Sequence, residues 1–117
     1  MQIEMLKSKI HRATVTEAEL HYEGSIGICR SLMDAAGLRR WEKVDVLNIA
    51  NGARITTYVI EQPRESGDIV INGAAAHLFT PGDLCIIIGY CSVSMEEADS
   101  HVPNVVKVDS ENKVRTA

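Results

Sequence analysis

Asn51-Gly52 stands between two runs of roughly alternating apolar residues: Val44, Val46 and, less strictly, Ile49 lead in, and Ile55, Tyr58 and Ile60 lead away. Asn-Gly supplies the positive φ angles of a type I′ turn, so the stretch from Val44 to Ile60 reads as a β-hairpin. Further strands are expected at Ile3 to Val15, Ile69 to Asn72, Leu84 to Val93 and Val105 to Val108, with Pro81-Gly82-Asp83 turning the chain into Leu84. Helical signals are short. Ser31 to Ala36 stops at Gly37, Ser94 to Ser100 carries a capping-box pattern with Glu97, and Gly73-Ala74-Ala75-Ala76-His77 allows one more helical turn. The pattern is that of a mainly β barrel or sandwich with small helices.

At 117 residues, and without internal repeats or a linker, the chain is read as a single domain spanning 1–117. Aromatic residues make up only 4%, so the core has to be built from Ile, Val, Leu and Ala. A net charge of −4 argues against a nucleic-acid partner. The longest apolar run, Leu84 to Ile88, is strand-sized and far short of a membrane span. Cys29, Cys85 and Cys91 lack metal-ligand or redox spacing, and Cys85 and Cys91 fit as small apolar residues in a reducing compartment. A cytoplasmic protein with no metal site is the expectation.

The polar inventory holds no metal-spaced His/Cys cluster, no Gly-x-Ser-x-Gly elbow and no phosphate-binding loop. Two local features stand out. Lys9-Ile10-His11-Arg12 concentrates basic side chains in an acidic protein, and strand alternation puts Lys9 and His11 on one face. His21-Tyr22-Glu23-Gly24-Ser25 reads either as a plain loop or as a strained peptide whose Ser25 hydroxyl attacks the Gly24 carbonyl, where the missing Cβ eases approach.

Taken together, Met5-Leu6, Lys9, His11-Arg12, Leu20 through Ser25, Asn51-Gly52, Arg54, Thr57-Tyr58 and Asn72-Gly73-Ala74-Ala75-Ala76-His77 resemble the bacterial aspartate 1-decarboxylases. The likeness runs from Met5 through Pro103-Asn104, and it rests on the joint pattern more than on any one motif. It implies a double-psi β-barrel assembled as a homotetramer with active sites between subunits. It also implies self-cleavage between Gly24 and Ser25, giving a 1–24 chain and a 25–117 chain headed by a pyruvoyl group made from Ser25. The reaction implied is removal of CO2 from L-aspartate to give β-alanine for pantothenate synthesis, without pyridoxal phosphate or metal. Leu47 departs from the tryptophan that some members carry.

The resemblance also distributes roles. Gly24, Ser25 and Thr57 belong to processing, with the Thr57 hydroxyl placed on the Gly24 carbonyl. Ser25, as pyruvoyl, condenses with the substrate amine as a Schiff base. Tyr58 is the proton donor, its phenol hydroxyl supplying the proton. Lys9, Arg54, Thr57, Asn72, Gly73, Ala74 and Ala75 contact substrate: Arg54 offers a planar fork, Lys9 a point charge, and the small residues an open backbone. Alternation puts Arg54 and Tyr58 on one strand face and Thr57 on the other, so a bulge or a second subunit has to reconcile them. The competing expectation is a non-catalytic double-psi barrel serving as an interaction module with its chain uncut.

Overall fold

The computed structural model describes residues 1–115. Eight strands form one mixed sheet: β1 (Gln2–Thr14), β2 (Glu17–Glu19), β3 (Ser25–Cys29), β4 (Lys43–Asn48), β5 (Arg54–Gln62), β6 (Ile69–Asn72), β7 (Leu84–Ser94) and β8 (Asn104–Lys107). Their spatial order is β2-β6-β3-β5-β4-β7-β1-β8, with β1/β8, β2/β6 and β3/β5 parallel and the other pairs antiparallel. This mainly β arrangement with short helices fits the double-psi β-barrel expected from the sequence.

The core is aliphatic, as the scarcity of aromatics requires. Ile10, Ile26, Ile28, Leu32, Val44, Val46, Val59, Ile69, Ile71 and Ile87 are all at most 1% exposed. Each such side chain contributes roughly 1.5–3 kcal/mol on leaving water. Cys85 is buried with them, and burial pushes its thiol up to about 12, so it stays a neutral packing residue.

Helix α1 (Arg30–Ala36) buries Leu32, Met33 and Ala36 and ends at Gly37, whose φ of 71° is left-handed. Helix α2 (Met95–Ala98) opens with the capping box read from Ser94 and Glu97, both of its hydrogen bonds being formed. Gly73–Leu78 is a 3-10 turn.

Three details differ from the sequence reading. The Asn51-Gly52 connection is not a two-residue type I′ turn: β4 ends at Asn48, β5 begins at Arg54, and only Gly52 has a positive φ there. Asn51 caps the wider loop instead, accepting from the Ala53 N–H and donating to the Leu78 carbonyl. Tertiary contact to the Leu78 turn thus outweighs the dipeptide's own preference. Two strands, β2 and β3, are additions, and β3 begins at Ser25, where a loop was expected.

Candidate active site

Strand β3 lies between β5 and β6, and this sets the surroundings of Ser25. Ser25 pairs with Asn72 of β6, and the next residue, Ile26, pairs with Val59 of β5, beside Tyr58. Gly24 is exposed, whereas Ser25 is only 2% exposed. The Asn72 carboxamide donates to Ser25 Oγ at 3.1 Å, and Ser25 Oγ donates to the Glu23 carbonyl at 3.0 Å. A buried hydroxyl held from two sides loses rotamer freedom and keeps its position.

The expected strain is not at Gly24, which has no left-handed φ and open space where a Cβ would go. It is at Gly73, with φ of 82°. A Cβ on Gly73 would stand 2.7 Å from Gly24 Cα, 2.9 Å from Gly24 N and 3.2 Å from the Tyr22 carbonyl oxygen. Gly73 therefore forms a cradle into which the backbone before Ser25 is pressed. Ala75 packs on the core and Ala74 is exposed, both following Gly73 in the 3-10 turn.

Ser25 and Tyr58 line one cleft of about 270 Å³, with Tyr22, Glu23, Arg40, Trp41, Ile60 and Glu61. Trp41 was not anticipated from the sequence. Its backbone is left-handed, φ 72°, a conformation rare for a bulky residue, and its N–H donates to the Val59 carbonyl at 2.7 Å. That anchor lays the indole against Tyr58, ring centroids 5.6 Å apart, while the Arg40 guanidinium sits 4.9 Å over the indole. Tyr58 is thus backed by an aromatic wall beside Ser25.

Register decides the remaining residues. Strands β4 and β5 pair without a shift from Lys43↔Tyr58 to Leu47↔Arg54, so no bulge intervenes. Thr57 pairs with buried Val44 and faces the opposite side from Arg54, Thr56 and Tyr58. On the outer face of the sheet, cross-strand rows form across β1, β7, β4 and β5. One row is Lys9, Ile88, Asp45 and Thr56; the next is His11, Ile86, Leu47 and Arg54.

Lys9 and Arg54 therefore share a face with each other, and the cleft of Ser25 and Tyr58 is lined by neither. Within one chain Ser25, Tyr58, Asn72 and Gly73 stand together and Lys9 and Arg54 stand apart from them, while Thr57 faces the other side of β5.

Arg54 is not free to act as a fork. Its Nη2 donates to Asp45 Oδ2 at 3.0 Å and to the Tyr90 hydroxyl at 2.8 Å. Both flat edges that a guanidinium can present to a carboxylate include Nη2, so the bidentate grip expected from the sequence is already engaged. The Thr56 hydroxyl, followed by Arg54 and Tyr90, holds the Asp45 carboxyl below its ordinary range.

His11 Nδ1 is buried with no hydrogen-bond partner among the described residues. Burial first, then the charges of Lys9, Arg12 and Lys107, keep His11 below its usual pKa. Asp45 and Tyr90 carry no motif of their own. Only cross-strand pairing could have brought them to notice.

No group of three or more His, Cys, Asp or Glu among the described residues could hold a metal ion, and no helix there is long and apolar enough to cross a membrane.

The family model for aspartate decarboxylase matches residues 1–115. The chain belongs to the aspartate decarboxylase family. Among curated relatives of this family, aspartate 1-decarboxylase 1 of Frankia casuarinae is 62% identical over 111 residues, covering 95% of this chain and 72% of the relative. Aspartate 1-decarboxylase of Caulobacter vibrioides is 55% identical over 117 residues, 100% of this chain and 99% of the relative. That of Caldicellulosiruptor saccharolyticus is 58% identical over 114 residues, covering 97% and 89%.

Proposed function

We infer that the chain decarboxylates L-aspartate to β-alanine and CO2, supplying pantothenate synthesis, and we propose that it does so after cutting its own Gly24-Ser25 bond and converting Ser25 to a pyruvoyl group. The observation that carries the processing half is the held Ser25 hydroxyl beside a backbone pressed into the Gly73 cradle. Attack of Ser25 Oγ on the Gly24 carbonyl carbon breaks the peptide C–N bond and frees the Ser25 amine, leaving an ester. Elimination across Ser25 Cα–Cβ releases Gly24 as a carboxylic acid and leaves dehydroalanine. Water then replaces its nitrogen, which departs as ammonia. The Asn72 amide keeps Oγ in place, and Thr57 is assigned to polarise the Gly24 carbonyl.

The residues present fit such a group: a small buried site at a new N-terminus, backed by Asn72 and opening on a cleft that Tyr58 shares. The pyruvoyl carbonyl supplies an electron sink for the charge left on Cα when CO2 departs. Tyr58 holds a phenolic proton beside that position for return to Cα, and Trp41 fixes its ring. Gly73, Ala74 and Ala75 are assigned to substrate contact through their backbone, with Ala74 the exposed one of the three.

Lys9 and Arg54 are assigned to the two carboxylates of aspartate. Because they stand apart from the Ser25 cleft in one chain, the reading needs a second copy to present them, which is the homotetramer with intersubunit sites. Three free cysteines, two of them buried, suit a reducing cytoplasm.

The test is Ser25→Ala. It should remain a single chain, fold, and release no β-alanine. Wild-type turnover by the uncut variant would refute the pyruvoyl reading, and a folded wild-type protein that stays whole and inert on aspartate would favour an interaction module.

A further inference from the structure

Resting on the assignment of Arg54 to a substrate carboxylate, we propose that Asp45 and Tyr90 are positioning residues for substrate recognition, acting through the Arg54 guanidinium. Four hydrogen bonds tie the cluster together. Thr56 Oγ1 donates to Asp45 Oδ1 at 2.7 Å, and the Tyr90 hydroxyl donates to Asp45 Oδ2 at 3.1 Å. Arg54 Nη2 donates to Asp45 Oδ2 at 3.0 Å and to the Tyr90 oxygen at 2.8 Å. Nη2 carries two hydrogens and has two acceptors, so it is saturated. What Arg54 can offer a substrate without breaking this cluster is Nη1 and Nε, as separate donors and not as a fork.

The Asp45 side chain is 18% exposed and that of Arg54 is 52% exposed. The anchoring carboxylate thus sits deep and the guanidinium it holds reaches into solvent. Sheet register fixes the base: Asp45 pairs directly with Thr56 on one side and Ile88 on the other. A free arginine side chain is long and flexible, and a substrate binding it would have to freeze it. Here the protein has held it beforehand at one nitrogen, and among the described residues no hydrogen bond engages Nε or Nη1.

Asp45 also weakens the positive potential of Arg54. That effect is screened at a half-exposed site, so loss of ordering outweighs it.

The experiment uses the cleaved, full-length protein. L-Aspartate kinetics per cleaved chain are paired with calorimetric titration of succinate, a dicarboxylate lacking the amine. Asp45→Asn should weaken succinate and raise KM for aspartate by about 3- to 10-fold, the range of a charge-assisted contact discounted for exposure. Tyr90→Phe should do so by roughly 3-fold. In both variants kcat per cleaved chain should stay within about 2-fold.

In an Arg54→Ala background neither change should have a further effect on succinate affinity, because a residue acting through another loses its influence when that other is gone. Equal factors with and without Arg54, a fall in kcat with KM unchanged, or tighter succinate binding in Asp45→Asn would overturn the proposal. If Arg54→Ala weakens succinate but Asp45→Asn does not, the positioning role alone is wrong. If Arg54→Ala leaves succinate affinity untouched, the assignment of Arg54 to the substrate fails, and the positioning role with it.

Discussion

Replacing Gly73 with alanine should strike self-cleavage while leaving the barrel folded. The new Cβ would stand 2.7 Å from Gly24 Cα and 2.9 Å from Gly24 N. Ordinary carbon contacts lie at about 3.5–4.0 Å, so the backbone before Ser25 has to retreat by roughly 1 Å. A misplacement of that size costs about 10²-fold in a reaction that depends on oriented attack. The left-handed φ of Gly73 adds a penalty of about 1–2 kcal/mol for any residue with a Cβ.

Gly52 separates the two effects. It too has a left-handed φ, 75°, but a Cβ there meets nothing within 4 Å. Gly52→Ala should therefore lose about 1–2 kcal/mol of stability and cleave normally. Precursor disappearance is followed on a denaturing gel for both variants, with thermal unfolding in parallel. Cleavage of Gly73→Ala at the wild-type rate, or equal slowing in both variants, would refute the claim that close approach at Gly73 sets up the Gly24 backbone.

The adjacent residues Thr57 and Tyr58 should separate by reaction. Thr57→Val keeps a β-branched strand residue and should cleave slowly. Tyr58→Phe should cleave nearly normally yet lose about 10²–10⁴ in β-alanine released per cleaved chain, and blocked cleavage in Tyr58→Phe would contradict the division. Trp41, the one tryptophan of the chain, packs on Tyr58, so its emission should change when succinate enters the cleft; unaltered emission at saturating succinate would place binding elsewhere. Acid should reveal Asp45. Its folded carboxyl titrates below the ordinary 3.8, so it stabilises the fold above that pH and the contribution disappears as pH falls through the lowered value. Wild type should therefore exceed Asp45→Asn in thermal midpoint at pH 6, with the difference shrinking towards pH 3, and a gap that widens in acid would refute the sign.

Local signals made much of the frame legible. Gly37 ends α1 and Ser94 with Glu97 opens α2, because both rest on contacts within one turn. Ile69–Asn72 stood out as a short apolar run bounded by glycines. Strand β3 did not. All five of its residues are buried, so it shows no alternation, and Gly27 interrupts it where a Cβ would meet the Gln62 side chain at 2.6 Å. Its reason for being a strand lies in β5 and β6.

The same holds at the site. The residues of Gly24-Ser25 and Thr57-Tyr58 could be singled out through resemblance, and alternation correctly separated Thr57 from Tyr58. The rows that place Asp45 beside Arg54, or His11 in line with it, exist only once β1, β7, β4 and β5 are in register. The fork of Arg54 was legible as chemistry; that Asp45 and Tyr90 already hold one of its nitrogens was not.

An intact mass spectrum of the purified protein reaches the central claim directly. The expected result is two fragments: one ending in Gly24 as a free acid, and one covering Ser25 to Ala117 and lighter by one ammonia than its serine-headed form. A single unbroken chain that still converts L-aspartate to β-alanine would contradict it.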